Sequence, residues 1–127
     1  MTQNELPRCL LITHAELGEA LLAAVYQILG PQVEAIAISN NDLALPQLLA
    51  EVTAGCSRTG PNYLFSDFTG GSCDYAARKT AIETPDCFSI SGVNLAMLLS
   101  FFTKRHQLQG VELQQIIAEA GKRGIQV

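Results

Sequence analysis

Long apolar runs are missing from this 127-residue chain, and no window reaches the roughly 18 apolar residues of a membrane span. Basic charge is also scarce. Lysine and arginine number 8 against 12 acidic residues, for a formal net charge of -4 and a pI near 5.0. No basic cluster exceeds the pairs Arg78-Lys79, Lys104-Arg105 and Lys122-Arg123. A nucleic-acid footprint is usually a basic patch or stripe, so no nucleic-acid partner is expected. The start, Met1-Thr2-Gln3-Asn4-Glu5, has no basic segment leading into an apolar stretch, so no secretory signal is expected. None of Cys9, Cys56, Cys73 and Cys87 belongs to a C-x-x-C pair, which leaves a zinc or thioredoxin-type site without support. All four are read as reduced thiols of a cytoplasmic protein. There is no G-x-x-x-x-G-K-[ST] motif and no G-x-G-x-x-G after the first strand, which argues against P-loop and dinucleotide chemistry. Ser72 does not stand in a G-x-S-x-G elbow. With no repeat, low-complexity segment or linker, residues 1–127 are expected to form one domain.

What is present is an alternation of short apolar runs and amphipathic stretches, with 48% hydrophobic residues to build a core. Strands are predicted at Arg8–Thr13, Val33–Ser39, Asn62–Asp67 and Cys87–Ser91. The apolar centre Ala35-Ile36-Ala37-Ile38 suits a strand covered on both faces. The first helix begins near Glu16 and places Leu17, Leu21, Ala24, Val25 and Ile28 on one face, ending at Gly30-Pro31. The second carries Leu45, Leu48, Leu49 and Val52 and starts just before Pro46, because proline is tolerated only in the first turn. Gly55–Pro61 is a loop. A third helix runs from Ser72 to about Ile82.

The fourth helix, Val93–Phe102, is apolar nearly all round. Leu95, Leu98, Leu99 and Phe102 can face the sheet, with Met97 and Phe101 pointing elsewhere. Such a helix is buried on more than one side. Either a neighbouring helix or a partner subunit can supply the second cover, and because the helix carries more apolar surface than one side of a sheet requires, a homodimer is expected. A fifth helix spans Val111–Lys122, and Ile125-Gln126-Val127 can form a short terminal strand. The series β-α-β-α-β-α-β-α-α implies an open α/β fold, a mainly parallel sheet with helices on both faces.

In such sheets ligands bind beyond the carboxyl ends of the strands. His14 follows the first strand there, and Asp67 follows the third, leading into Gly70-Gly71-Ser72 and a helix. Singly each has a plain structural reading: a packed histidine, a turn aspartate, a tight glycine turn, and an N-cap serine. Together they form a phosphate-handling set. An imidazole attacks phosphorus as a nucleophile. A carboxylate that takes the N–H of its other nitrogen fixes the tautomer. Helix N-termini offer backbone N–H groups to a phosphate. Cys73 is either a thiol activated at that N-terminus or, as favoured here, a buried inert one. His106 is read as solvated at a helix C-terminus.

Ile12-Thr13-His14, Leu29-Gly30, Ser66-Asp67-Phe68-Thr69-Gly70-Gly71-Ser72 and Ser91-Gly92-Val93-Asn94-Leu95-Ala96-Met97-Leu98 together resemble the IIA domain of the mannose family of the phosphoenolpyruvate-dependent sugar phosphotransferase system. The resemblance covers nearly the whole chain. It implies a four-stranded parallel sheet in the order 2-1-3-4, and it allows the C-terminal strand to be exchanged in a homodimer. It implies that His14 takes a phosphoryl group from phospho-HPr and passes it to a IIB partner for sugar uptake, with Asp67 hydrogen-bonded to the histidine and Ser72, Gly71 and Gly70 around the phosphoryl group. No nucleotide, metal or other cofactor is implied. A regulatory module that reports its phosphorylation state is the alternative. The chain departs from the family where Ala15 replaces a usual Gly and Cys73 a frequent Pro.

Overall fold

The computed structural model describes residues 6–56 and 59–127. The N-terminal start and positions 57–58 of the Gly55–Pro61 loop lie outside the described residues. Four strands, β1 (Arg8–Thr13), β2 (Ala35–Ser39), β3 (Asn62–Ser66) and β4 (Cys87–Ile90), alternate with α1 (Leu17–Leu29), α2 (Leu45–Gly55) and α3 (Ser72–Glu83). Two helices follow, α4 (Leu95–Lys104) and α5 (Gly110–Arg123). The sheet is parallel throughout, in the order β2-β1-β3-β4. The chain winds from β1 to β2 on one side and then returns to build β3 on the other. The crevice between β1 and β3 is therefore the topological switch point.

Strand side chains alternate between two cores. Cys9, Leu11, Tyr63, Phe65 and Ile90 face α1, α4 and α5. Leu10, Ile12, Leu64 and Cys87 face α2 and α3. The central strands β1 and β3 are buried on both faces. β2 is not: all five of its residues are half-buried, because it is an edge strand with a neighbour on one side only. The other edge, β4, is shielded by Gln114 of α5, whose Nε2 donates to the Ser89 carbonyl at 2.9 Å. Capping an exposed strand edge this way blocks further pairing.

Helix faces differ from the periodicity in two places. In α1 the buried positions are Gly18, Leu22 and Val25, while Leu17 and Ile28 are exposed. Apolar counting missed this rotation because glycine carries no hydrophobic signal, yet its missing side chain lets α1 approach the sheet. A Cβ on Gly18 would meet Thr13 Oγ1 at 3.0 Å. In α4 Met97, Leu98, Phe101 and Phe102 are buried, and Leu95 and Leu99 only half so. Phe101 enters the core, with its ring 5.4 Å from Tyr63 and 5.6 Å from Phe65.

The second cover of α4 comes from within the chain. Asn94 caps the helix by accepting from the Met97 N–H at 2.9 Å and donates to the Gly121 carbonyl of α5 at 3.2 Å. A Cβ on Gly121 would stand 2.6 Å from Met97 Cγ, so glycine sets how closely α5 lies on α4. α5 thus covers the Met97 side of α4 within the single chain, while Leu95 and Leu99 stay half-buried. Ile125 and Val127 are exposed and belong to no strand in the single chain.

At the amino ends of the strands Arg105 is buried, with 1% of its surface exposed. It donates to the carbonyls of Pro7, Val33 and Glu34 at 3.0, 2.8 and 3.3 Å and to Gln32 Oε1 at 3.4 Å. Its guanidinium also lies over the rings of Phe101 and Phe102. The pair Lys104-Arg105 is thus one solvated cation and one internal clamp, while His106 is exposed as expected.

Candidate active site

His14 is carried past the carboxyl end of β1 on a turn that the backbone holds tightly. Thr13 Oγ1 accepts the Gly18 N–H at 2.8 Å, and the His14 carbonyl accepts the Leu17 N–H at 3.3 Å. Ala15 has φ 52°, the left-handed region in which L-residues other than Gly, Asn and Asp are strained. The turn thus demands the conformation that a glycine would supply. The small Ala side chain adopts it at a cost of about 1–2 kcal/mol.

Asp67 follows β3 and meets this turn. Its Oδ2 accepts the backbone N–H of His14 at 2.9 Å and lies 2.7 Å from ring Nδ1; its Oδ1 accepts the Phe68 N–H at 3.2 Å. The paired register of Ile12 with Ser66 across β1 and β3 brings the two strand ends together. Burial pushes the Asp67 carboxyl up, but the hydrogen bonds and charge of His14 outweigh it, and the pKa ends below the ordinary 3.8. Asp67 is thus a carboxylate at neutral pH. With Nδ1–H donated to Oδ2, the lone pair of the neutral ring resides on Nε2. The imidazole is 42% exposed, against 9% for the Asp67 side chain. Phe68 stacks on it, with centroids 5.2 Å apart and planes 29° from parallel.

The glycine turn lies beside this pair. Gly71 is the N-cap of α3, and Ser72 is its first residue rather than its cap. A Cβ on Gly71 would meet the Phe68 ring at 2.8 Å, so glycine here lets that ring lie against the turn. The Gly70 N–H is spent inside the chain, donated to Asp74 Oδ2 at 2.8 Å. Among the described residues, the N–H groups of Gly71 and Ser72 have no acceptor in the chain. Such orphan donors at a helix start suit an anion. Across the turn, Thr69 Oγ1 and Ser91 Oγ lie 2.7 Å apart.

One residue near the site escaped the sequence reading. Asp74 is a buried carboxylate that also accepts from Ser66 Oγ at 3.3 Å and pairs with Arg78 Nε at 3.4 Å. Its signal was present: an acid in the first turn of a helix, three residues after the N-cap. Cys73 is buried as expected, with burial first and the Asp67 charge second pushing its thiol up to about 11. Its Sγ nonetheless points at the site, 3.8 Å from His14 Nδ1.

A doubly wound parallel sheet with a carboxylate-oriented histidine at its switch point is the class of protein these features define. The chain belongs to the family described as the PTS system fructose IIA component, EIIA-man, whose model matches residues 8–118. Membership carries a phosphotransfer role in a sugar phosphotransferase system. Comparison with curated protein sequences returns no match. Among solved structures, the chain is similar to phosphotransferase system component EIIA from Streptococcus agalactiae, with a TM-score of 0.90, 17% identity, and 95% of this chain and 96% of that chain covered. The mannose/sorbose specific IIA subunit from Enterococcus faecalis superposes with a TM-score of 0.82, 22% identity and coverage of 95% and 93%. A sigma-54 interaction domain protein from Enterococcus faecalis reaches 0.78 at 13% identity, covering 96% and 95%. At these identities the likeness establishes the fold, including the 2-1-3-4 sheet that the sequence resemblance implied.

Proposed function

We propose that the protein is a cytoplasmic phosphocarrier whose His14 accepts a phosphoryl group on Nε2 from phospho-HPr and passes it to a IIB component. The observation that carries this reading is the short contact of Asp67 Oδ2 with His14 Nδ1. It leaves Nε2 as the nucleophile of an exposed ring. The Nε2 lone pair attacks phosphorus, and the bond between phosphorus and the donor's imidazole nitrogen breaks, its electron pair staying with the donor. The product carries an N–P bond at Nε2 and a positive ring whose Nδ1–H remains on the Asp67 carboxylate. That carboxylate is where the developing charge needs it. The Gly71 and Ser72 N–H groups and the Ser72 hydroxyl receive the phosphoryl oxygens. Gly70 serves through its conformation, since its own N–H is held by Asp74. The onward step to the acceptor repeats the displacement in reverse.

The test is the intact mass of the protein after incubation with phosphoenolpyruvate, enzyme I and HPr, with His14→Ala alongside. One acid-labile phosphate on the wild type and none on the variant is the expected result. No phosphate while HPr itself is phosphorylated, or phosphate retained by the variant, overturns the assignment. The likeness to a sigma-54 interaction domain protein favours a second reading, in which His14 phosphorylation controls binding to a regulatory target. A phosphorylated protein that transfers nothing to IIB components would select it.

A further inference from the structure

Cys73 has no task in phosphoryl transfer, yet its sulfur lies at the centre of the site. One donor atom each of His14, Asp67 and Cys73 lie within 4.8 Å of one another, with 2.7 Å between His14 Nδ1 and Asp67 Oδ2 and 3.8 Å between Cys73 Sγ and His14 Nδ1. They come from the end of β1, the end of β3 and the first turn of α3. A C-x-x-C search is blind to such a set, because no two of its donors are close in sequence. Tetrahedral zinc, with bonds of about 2.0–2.3 Å, spaces its donors about 3.3–3.7 Å apart. The sulfur–nitrogen distance is nearly right. The nitrogen–oxygen pair must open by less than an ångström or so, and the half-exposed His14 ring is the member free to move.

We propose that His14 Nδ1, Asp67 Oδ2 and Cys73 Sγ form a binding site for a thiophilic divalent cation such as Zn2+, with water as the fourth ligand, and that the bound cation blocks phosphoryl acceptance. The donor set of imidazole, carboxylate and thiolate is one that zinc takes. Binding releases the Cys73 thiol proton to solvent, which is how a metal captures a cysteine whose own thiol is poorly acidic. The His14 ring gives up its Nδ1 proton and carries one on Nε2 instead, remaining neutral. One proton leaves per metal bound. The Nε2 lone pair, which the phosphocarrier reading requires, is then occupied by hydrogen. The blocking step rests on that reading; the metal site does not.

The experiment is a titration of the intact protein with Co2+, followed by displacement with Zn2+. A thiolate-to-cobalt charge-transfer band is expected in the wild type, saturating at one metal per chain and erased by equimolar Zn2+. Cys73→Ser is expected to lose the band and to weaken Zn2+ binding at least tenfold, with circular dichroism reporting its fold. Cys56→Ser, at a distant thiol, is expected to keep both. Absence of the band, or its survival in Cys73→Ser, overturns the site. In the phosphorylation assay the ratio of rates without and with Zn2+ is read within each protein. A large ratio in the wild type that collapses towards one in Cys73→Ser supports the block; full phosphorylation of zinc-saturated wild type overturns it. A wild type that accepts no phosphate even without zinc overturns the phosphocarrier reading instead, and the cobalt titration still decides the site.

Discussion

One oxygen of Asp67 holds His14 twice, accepting its backbone N–H at 2.9 Å and facing its ring Nδ1 at 2.7 Å. The aspartate therefore fixes both where the residue sits and which ring nitrogen carries the proton. Asp67→Asn keeps the shape and removes the charge. Its amide NH2 can turn towards Nδ1 and favour the wrong tautomer. The rate of phosphohistidine formation should fall about a hundredfold or more, as carboxylate partners of catalytic histidines generally show. A variant within a few-fold of wild type would remove Asp67 from the mechanism.

The same bond makes a prediction about acid stability. Asp67 has a folded pKa below its ordinary value, so its contribution is present above about pH 3.9 and is lost as pH falls through the folded value. Asp67→Asn has no such term. The stability difference between wild type and variant, from urea midpoints, should shrink as pH falls below about 4. A difference that persists undiminished as pH falls from about 4 to about 2 would contradict the lowered pKa.

Ala15 offers a test of the strained turn. At φ 52° a glycine loses the steric penalty of about 1–2 kcal/mol, but its unfolded chain gains entropy worth about 0.4–1 kcal/mol. Ala15→Gly should therefore stabilise the protein by about 0.5 kcal/mol, read as a small rise in urea midpoint at unchanged slope. A fall would show that the Ala15 methyl makes a contact outweighing its strain.

Asp74 is placed to hold the Gly70 turn without touching the phosphoryl group. Asp74→Ala leaves the Gly70 N–H and Ser66 Oγ without their acceptor, costing about 2 kcal/mol. Loosening the turn should slow phosphorylation at saturating phospho-HPr by about tenfold, with a smaller change in KM, because geometry rather than docking is disturbed. Asp74→Asn, which still accepts at one oxygen, should recover most of both losses. An unchanged saturating rate in Asp74→Ala would assign the residue to stability alone.

The sequence made His14 and Asp67 legible because each ends an apolar run, and strand ends are where a parallel sheet places its chemistry. The order 2-1-3-4 came from the family resemblance, since strand periodicity carries no information on neighbours. What stayed hidden depended on contacts distant in sequence. The buried face of α1 turns on Gly18, which contributes closeness rather than hydrophobicity. The second cover of α4 depends on where α5 docks. Arg105 stayed hidden because the backbone carbonyls that satisfy it leave no pattern in the residue types, whereas Asp74 left one, an acid in the first helical turn, that does not name the loop N–H it holds.

Arg105 gives the clearest separation of stability from function. Its guanidinium serves the carbonyls of Pro7, Val33 and Glu34 at the amino ends of β1 and β2, the opposite edge of the sheet from His14. Arg105→Met keeps most of the apolar stem against Phe101 and Phe102 but removes every donor. Part-buried carbonyls left without partners cost about 1–3 kcal/mol each before relaxation and water entry. The net loss should be about 3 kcal/mol, visible as a fall of about 10 °C in Tm. Arg105→Lys should recover little, since one ammonium cannot span the arc that a planar fork covers. Well below the transition both variants should accept phosphate at the wild-type rate, because no strand or turn at the His14 edge changes. A variant that is stable but slow would mean that the clamp at one end of the sheet also sets the geometry at the other.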